Sequence, residues 1–235
     1  MKFVFQILVT LLAAIDILLA WPAFYRLRQP TTLALWGIKV FISAITPLLF
    51  LTGVLTAIAG LALNWTPAIA LGSTGALLFL MHIIAVTRAP DSSTDFEQAF
   101  GPDWEKRLPE ESKAGFLPSR YVFRLPNVPD PVFEQNIVFH TIPHTNRQLL
   151  CDVWQPPKQV KRSGLTFIYL HGKHDILALI KAIRQLHERL TQAGIPVVMH
   201  LIPLTDHAFD LILPKTSPSA HNAYYDVERF LALMA

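Results

Sequence analysis

Three long apolar segments in the first 87 residues constrain the fold of this chain more than any other feature. They run over Val4–Phe24, Leu33–Leu63 and Ala68–Thr87. Each meets the roughly 20 apolar residues that an α-helix needs to cross the hydrocarbon core of a bilayer. The sequence therefore predicts an all-α membrane region of three transmembrane helices in residues 1–88.

Charged residues divide the chain into two parts with different compositions. Hydrophobic residues make up 52% of the chain and charged residues only 16%, which is more apolar than an ordinary soluble protein. Between Phe3 and Thr87 the formal charges are limited to Asp16, Arg26, Arg28 and Lys39. Beyond Arg88 the charge content is normal, so we expect a membrane region (1–88), a connector (89–131) and a soluble domain (132–235).

The overall charge and the cysteine content exclude several classes of partner and cofactor. A formal net charge of +3, without a run of Lys or Arg, is too small to indicate a nucleic-acid-binding protein. The single cysteine, Cys151, rules out an internal disulfide framework and a cysteine-based zinc site. His200 falls within a predicted strand, where a packed histidine is expected, so we predict no metal site.

Positive charges predict the orientation of the membrane region. Arg26, Arg28 and Arg88 would lie on one side, whereas the turn Asn64–Pro67 on the other side has no positive charge and only Lys2 opposes the bias. Lys and Arg favour the cytoplasmic side of a membrane. We therefore expect an integral membrane protein, in the inner membrane if the source is a bacterium, with a cytoplasmic soluble domain.

Asp16 and Lys39 are the two charges predicted to lie at membrane depth. Ionisable residues inside a membrane are functional candidates because a buried unpaired charge is costly. In an antiparallel helix pair the two side chains would lie at similar depth, so the sequence favours a structural ion pair over a transport site. His82 is expected near the membrane interface.

The connector contains one short amphipathic helix signal. Thr94 and Glu97 fit a capping box, and Phe96, Phe100 and Trp104 recur at a spacing of four residues, which places them on one helix face. That face could contact either the bilayer surface or the soluble domain. Gly101–Pro102 is expected to end the helix.

The soluble part begins with a predicted hairpin and continues as an alternation of strand and helix. The predicted elements are strands 136–142 and 148–154, a buried strand 165–170, a helix 176–192 ended by Gly194, a second buried strand 197–202, and a helix that Ser217 caps and that extends to about Leu233.

A strand, helix and strand in this order predict a right-handed unit with parallel strands. Both strands would end at the same sheet edge, so Asp175 and His207, which follow them, should lie close together. A carboxylate beside an imidazole fixes its tautomer and stabilises the imidazolium formed during general-base catalysis. Ordinary loop residues without a catalytic role are the alternative.

The residues from 132 to 235 resemble the acetylesterase/lipase branch of the α/β-hydrolase family, related to hormone-sensitive lipase. The resemblance rests on Cys151-Asp-Val-Trp-Gln-Pro-Pro157, Phe167-Ile-Tyr-Leu-His171-Gly172, the loop to Asp175, and Asp206-His207-Ala-Phe. It implies a mixed, mostly parallel partial hydrolase sheet and cofactor-free hydrolysis of a small acyl ester. Asp175 would be the acid, His207 the base, and His171-Gly172 a remnant of the oxyanion loop.

The chain departs from this family at the nucleophile. The family presents its serine in a Gly-x-Ser-x-Gly turn, and the chain contains no such pentapeptide. We therefore expect a truncated sheet with exposed edges that favour self-association, and little or no esterase activity. The alternatives are a non-catalytic membrane interaction protein and a deletion remnant without a selected role.

Overall fold

The computed structural model describes residues 1–25, 33–88, 90–123, 132–155, 180–205 and 209–234. Helices dominate these ranges, and the sheet within them consists of two antiparallel strands. Contacts group the chain into two compact units, one of Met1–Leu125 with Leu170–Leu233 and the other of Pro126–Tyr169 with Met234–Ala235. The predicted boundaries at residues 88 and 131, as limits of independently folding domains, stay predictions.

The first four helices are α1 (Lys2–Phe24), α2 (Leu33–Ala44), α3 (Thr46–Ala62) and α4 (Thr66–Thr87). Two helices in the described ranges, α1 and the one that begins at Thr66, are long and apolar enough to cross a membrane. The segment Leu33–Leu63, predicted to form one span, consists of two helices, α2 and α3, which meet at a bend of 69°. The number of candidate membrane spans rises to three only if the bent pair of α2 and α3 forms a single span.

Pro47 explains the bend between α2 and α3. Proline lacks the N–H that would donate to the carbonyl four residues earlier, which belongs to Ser43. The hydroxyl of Thr46 donates to the Ser43 carbonyl instead, at 3.0 Å. The Ser43 carbonyl, which loses its helical hydrogen bond at this break, thus has a neighbouring side chain as its donor. The helix α3 then begins in a new direction.

Small residues allow α3 and α4 to pack with their backbones in contact. A Cβ atom added at Gly53 would lie 2.5 Å from the backbone nitrogen of Ala76, and one added at Gly72 would lie 2.6 Å from that of Ala57. Apolar helices in a membrane gain their packing energy mainly from such close approach. The turn between α3 and α4 is tight, as predicted, and Asn64 adopts a φ of +48° there.

The first helix runs parallel to α4. Near its beginning, Thr10 accepts a 2.8 Å hydrogen bond from the indole of Trp65, which immediately precedes α4. Near its end, Phe24 packs edge-on against His82 with ring centroids 5.7 Å apart. The ends of α1 and α4 therefore lie on one side of the bundle, and the α3–α4 turn lies on the other.

The amphipathic connector helix is α5 (Pro90–Phe100), followed by a 3-10 turn over Trp104–Arg107 and by α6 (Glu110–Lys113). The capping box at Thr94 is wrong, because α5 already begins at Pro90. The expected break is confirmed by Gly101, whose φ is +89°. Phe96, Phe100 and Trp104 do share one face, and they pack against Val198, Phe230 and Leu233 of the C-terminal part.

The predicted hairpin is confirmed. Strands β1 (Val132–Ile142) and β2 (Arg147–Gln155) pair antiparallel, with Ile137 opposite Cys151 and two register irregularities along the ladder. Asn146 supplies the positive φ, +49°, that the tight turn needs.

Two C-terminal helices, α7 (Ile180–Gln192) and α8 (Pro218–Met234), also agree with the sequence. Gly194 ends α7 with a φ of +70°, and the following N–H of Ile195 donates back to the Leu190 carbonyl at 3.0 Å. This is the Schellman pattern that glycine favours. The Ser217 hydroxyl accepts a 3.3 Å hydrogen bond from the N–H of Ala220, as its predicted capping role requires.

The predicted strand over residues 197–202 is wrong. This segment is described and belongs to neither a strand nor a helix. The N–H of Met199 donates to the carboxylate of Asp95 at 2.8 Å, so a side chain satisfies a backbone group that a sheet ladder would otherwise use. The expected partner, 165–170, lies outside the described residues, and the mostly parallel hydrolase sheet stays a prediction.

Candidate functional site

The four residues of the predicted hydrolase site cannot be placed. Asp175, His207, His171 and Gly172 all lie outside the described residues. Their proximity at one sheet edge therefore stays a prediction. The described residues include two groups of buried or partly buried polar side chains, which we call the cap cluster and the bundle group.

The cap cluster consists of Ser92, Arg120, His200, Asn222 and Asp226. Asp226 of α8 is its centre and is almost completely buried. Its Oδ2 atom accepts a hydrogen bond from Nη1 of Arg120 at 2.9 Å and lies 2.8 Å from Nδ1 of His200. An acid and an imidazole do meet here, but they are not the predicted pair.

Arg120 connects its own loop to α5 and α8. Its Nη1 also donates to Oδ1 of Asn222 at 2.9 Å, and its Nη2 donates to Oγ of Ser92 at 3.1 Å. The guanidinium group lies 4.7 Å from the ring centre of Tyr225, a cation–π distance. The planar guanidinium has five N–H donors, which suits it to such a junction.

Asn222 links the cap cluster to the end of α4. Its side-chain amide donates to the carbonyl of Val86 at 2.7 Å. The last carbonyls of a helix have no partner within the helix, so this hydrogen bond satisfies one of them from α8. The C-terminal helix is therefore fixed directly to the end of a candidate transmembrane helix.

The surroundings of Asp226 favour its charged form. Burial raises the pKa of this carboxyl, but hydrogen bonds and charge from His200 and Arg120 outweigh burial and leave the pKa below its usual value of 3.8. Asp226 is thus an ion-pair partner at neutral pH. A carboxylate in this state can orient an imidazole, but it cannot donate a proton.

A second link between α8 and the connector lies one helical turn away. The carboxylate of Glu228 accepts the N–H of Leu117 at 2.9 Å, while Nη2 of Arg229 donates to the Leu117 carbonyl at 3.0 Å. Both backbone groups of one residue are thus satisfied by neighbouring side chains. Burial raises the pKa of Glu228, although the Leu117 hydrogen bond opposes that shift.

Ser92 and Ser217 have structural hydrogen-bond partners, and Cys151 belongs to the hairpin. Ser217 pairs with the hydroxyl of Ser219 at 3.0 Å and caps α8. Ser92 accepts a hydrogen bond from Arg120. Cys151 lies within β2, opposite Ile137. In the described ranges, the hydrogen bonds of these groups serve packing and capping.

The bundle group consists of Asp16, Lys39, Ser43 and His82 of helices α1, α2 and α4, which are all buried. Among the described residues, neither carboxylate oxygen of Asp16 has a hydrogen-bond partner, so Lys39 does not form the predicted hydrogen-bonded ion pair with it. Lys39 lies near His82 instead. The side chain of His82 is fully buried in the bundle, and among the described residues its two ring nitrogens have no hydrogen-bond partner. Its expected position near the membrane interface stays a prediction.

Sequence reasoning missed the cap cluster, although a signal was present. Asn222, Asp226 and Arg229 recur at spacings of four and three residues, which places three polar side chains on one face of α8. Over the described part of the chain, no group of three or more metal-ligating side chains forms a metal site. Compared with known proteins, the chain matches no protein family, no characterised protein and no solved structure.

Proposed function

We propose that this chain is a membrane-anchored protein of α/β-hydrolase ancestry that has lost its serine nucleophile and has little or no esterase activity. One observation carries the proposal. The chain has an Asp175 loop and an Asp206-His207 loop at the positions of the family's acid and base, yet it has no Gly-x-Ser-x-Gly turn.

The chemistry of acyl transfer explains why this loss matters. A histidine base accelerates ester hydrolysis by removing a proton from a nucleophile within hydrogen-bond reach, and the acid acts only through that histidine. Asp175 and His207 therefore have no covalent catalysis to support without a serine. The structural partners of Ser92 and Ser217 support this view, because both hydroxyl groups already take part in hydrogen bonds elsewhere.

Esterase activity is tested on the full chain in detergent or proteoliposomes. We expect no labelling by a fluorophosphonate probe and no turnover of p-nitrophenyl acetate above the background reaction. A His207→Ala variant should behave like the parent chain, and His144→Ala, in the exposed hairpin turn, is the matched control. Labelling or turnover that His207→Ala abolishes and His144→Ala retains would show an active enzyme.

The proposed orientation places the ends of α1 and α4, with α8, in the cytoplasm. Arg26, Arg28 and Arg88 support it through the positive-inside bias. Proteolysis of sealed inside-out and right-side-out vesicles tests it with an epitope tag at the C-terminus. We expect loss of the tag only in inside-out vesicles, and loss only in right-side-out vesicles would reverse the orientation.

Partner binding through the hairpin is the second candidate function. Val138 and Leu150 lie directly opposite each other across β1 and β2, and their side chains are 46% and 51% exposed. A two-stranded hairpin is marginally stable alone, and unpaired strand edges favour further pairing. A second copy of this chain is therefore the expected partner.

Crosslinking in the membrane tests this second function. We expect a dimer or larger oligomer in the parent chain and its loss when Val138 and Leu150 are both replaced by Lys. Replacing exposed Thr141 by Lys is the control at the same hairpin. A monomeric parent chain that is also devoid of esterase activity would leave the deletion-remnant interpretation.

A further inference from the structure

Asp16 is an acidic side chain buried in the middle of α1 without a hydrogen-bond partner. It is 2% exposed, and both carboxylate oxygens lack a donor within the described residues. Buried polar groups in proteins almost always have such partners. The exception therefore requires an explanation from the surroundings of this residue.

The surface of α4 that faces Asp16 is made by a glycine. A Cβ atom added at Gly75 would lie 2.7 Å from Oδ2 of Asp16, so the absence of a side chain there provides the space that the carboxyl group occupies. The neighbouring buried residues on α1 are Ala13 and Ala20. The carboxyl group thus lies in a small site shaped by glycine and alanine.

Among the described residues, neither basic side chain of α2 and α4 donates a hydrogen bond to Asp16. Asp16 faces Gly75, whereas Lys39 lies near His82, seven residues further along α4. Seven residues of helix correspond to about 10 Å. Lys39 and His82 are the titratable side chains that α2 and α4 contribute to the bundle, and α3 has none.

An ionised carboxylate in this position would be an uncompensated charge in an apolar helix bundle. Such a charge is strongly unfavourable, whereas the neutral carboxylic acid loses only the hydration of a polar group. Binding a proton removes the charge without a larger ligand, for which the close contact with Gly75 leaves no room.

We propose that Asp16 is an intramembrane proton-binding site, formed by its carboxyl group in the space that Gly75 leaves on α4. This inference goes beyond the proposed function and shares with it only the membrane embedding of α1. Alkaline carbonate extraction tests that embedding separately, so failure of one conclusion is distinguishable from failure of the other.

A hydrophobic carbodiimide distinguishes a protonated carboxyl group from an ionised one. The acid transfers its proton to a carbodiimide nitrogen while its oxygen bonds to the central carbon, and the acyl group then migrates to nitrogen to give a stable N-acylurea. The net reaction is an addition without a leaving group. A carboxylate has no proton to supply and reacts much more slowly.

The experiment uses the full chain in proteoliposomes, dicyclohexylcarbodiimide as the probe, and mass spectrometry of the peptide that contains Asp16. We expect one adduct at Asp16 at pH 7, and at least a tenfold loss of that adduct in Asp16→Asn. Asp16→Glu should restore an adduct at the same position. Gly75→Ala should lower the labelling several-fold, because the added methyl group occupies the carboxyl site.

Two controls decide whether the adduct reports a bound proton. Exposed Asp103 should remain unlabelled by this reagent and should react with a water-soluble carbodiimide instead. Absence of an adduct at Asp16 at pH 7, with α1 resistant to carbonate extraction, would overturn the proposal. Protection of Asp16 by sodium or lithium ions at constant pH would also overturn it, because a cation site would then compete with the reagent.

Discussion

The cap cluster and the bundle of helices α1–α4 each contain one buried aspartate, and the surroundings of the two residues are opposite. Asp226 in the cap accepts a hydrogen bond from Arg120 and lies against His200. Asp16 in the bundle is equally buried and has no hydrogen-bond partner among the described residues. The first arrangement favours a charge and the second disfavours one. The same residue type therefore serves structure in one region and provides a chemically distinct site in the other.

Different interactions also hold the two regions together. The region around the cap cluster combines an aromatic cluster at Phe96 and Trp104 with side-chain hydrogen bonds centred on Arg120. The bundle depends on close backbone contact at Gly53 and Gly72. Removing a charge should therefore strongly destabilise the cap cluster, and adding side-chain volume should strongly destabilise the bundle.

The largest effect is expected for Arg120→Ala. The substitution leaves the Asp226 carboxylate buried without its strongest partner, which costs about 3–5 kcal/mol when a buried ion pair is broken. Hydrogen exchange in α8 should accelerate, while exchange in α1 and α3 should stay unchanged. Lys106→Ala is the control, because its exposed pair with Asp103 contributes less than about 1 kcal/mol. Equal effects of the two substitutions would contradict the role of Arg120.

A large effect is also expected for Gly72→Leu in the bundle. The new side chain would collide with the backbone of α3 at Ala57, and overpacking of this kind costs about 1–3 kcal/mol or more. Thermal unfolding in detergent measures the loss. Gly37→Ala is the matched control, because a Cβ atom added there meets nothing within 4 Å. A Gly72→Leu variant as stable as Gly37→Ala would show that α3 and α4 are not in backbone contact.

A moderate effect is expected when the cap is acidified. The pKa of Asp226 is lower in the folded protein than its ordinary value of 3.8, so its ionisation stabilises the fold above that value. This contribution is lost as the pH falls below about 4 and passes through the lowered pKa. Hydrogen exchange in α8, measured against pH, should show the loss in the parent chain. Asp226→Asn should abolish it, whereas Glu228→Gln should leave it in place.

The smallest effect is expected for Asp16→Asn. A neutral carboxylic acid without partners differs little from an amide of the same shape, so stability should change by less than about 1 kcal/mol, the size of one hydrogen bond. Thermal unfolding of the two chains at pH 7 gives the comparison. Destabilisation as large as that of Arg120→Ala would indicate that Asp16 is a paired charge, and the contrast between the two aspartates would fail.

Local signals in the sequence predicted individual elements well. The ends of α7 and α8 follow from Gly194 and Ser217, because one adopts a positive φ and the other offers a capping oxygen. The hairpin turn follows from Asn146 in the same way. Thr94 misled because its capping pattern lies inside a helix that begins four residues earlier, at Pro90.

Predictions that needed two distant elements were less successful. The segment 197–202 has the composition of a buried strand, but a strand requires a partner, and Met199 donates to Asp95 instead. The predicted pairing of Asp16 with Lys39 rested on their similar depth in an antiparallel pair of α1 and the following helix. Similar depth does not fix which side chains meet, and Asp16 faces Gly75 of α4. The predicted pair of Asp175 and His207 stays untested by the described residues.

By itself, the sequence determined the apolar segments, the hairpin, the helix ends and the absence of a serine nucleophile turn, because each depends on residues close together in the chain. Only the tertiary structure decided that α8 is fixed to the end of α4 through Asn222 and that Arg120 joins its own loop to α5 and α8. It also decided that Asp16 faces Gly75 with no hydrogen-bond partner among the described residues. Burial and pairing depend on which helices meet and at what angle. Local spacing does not encode those distances.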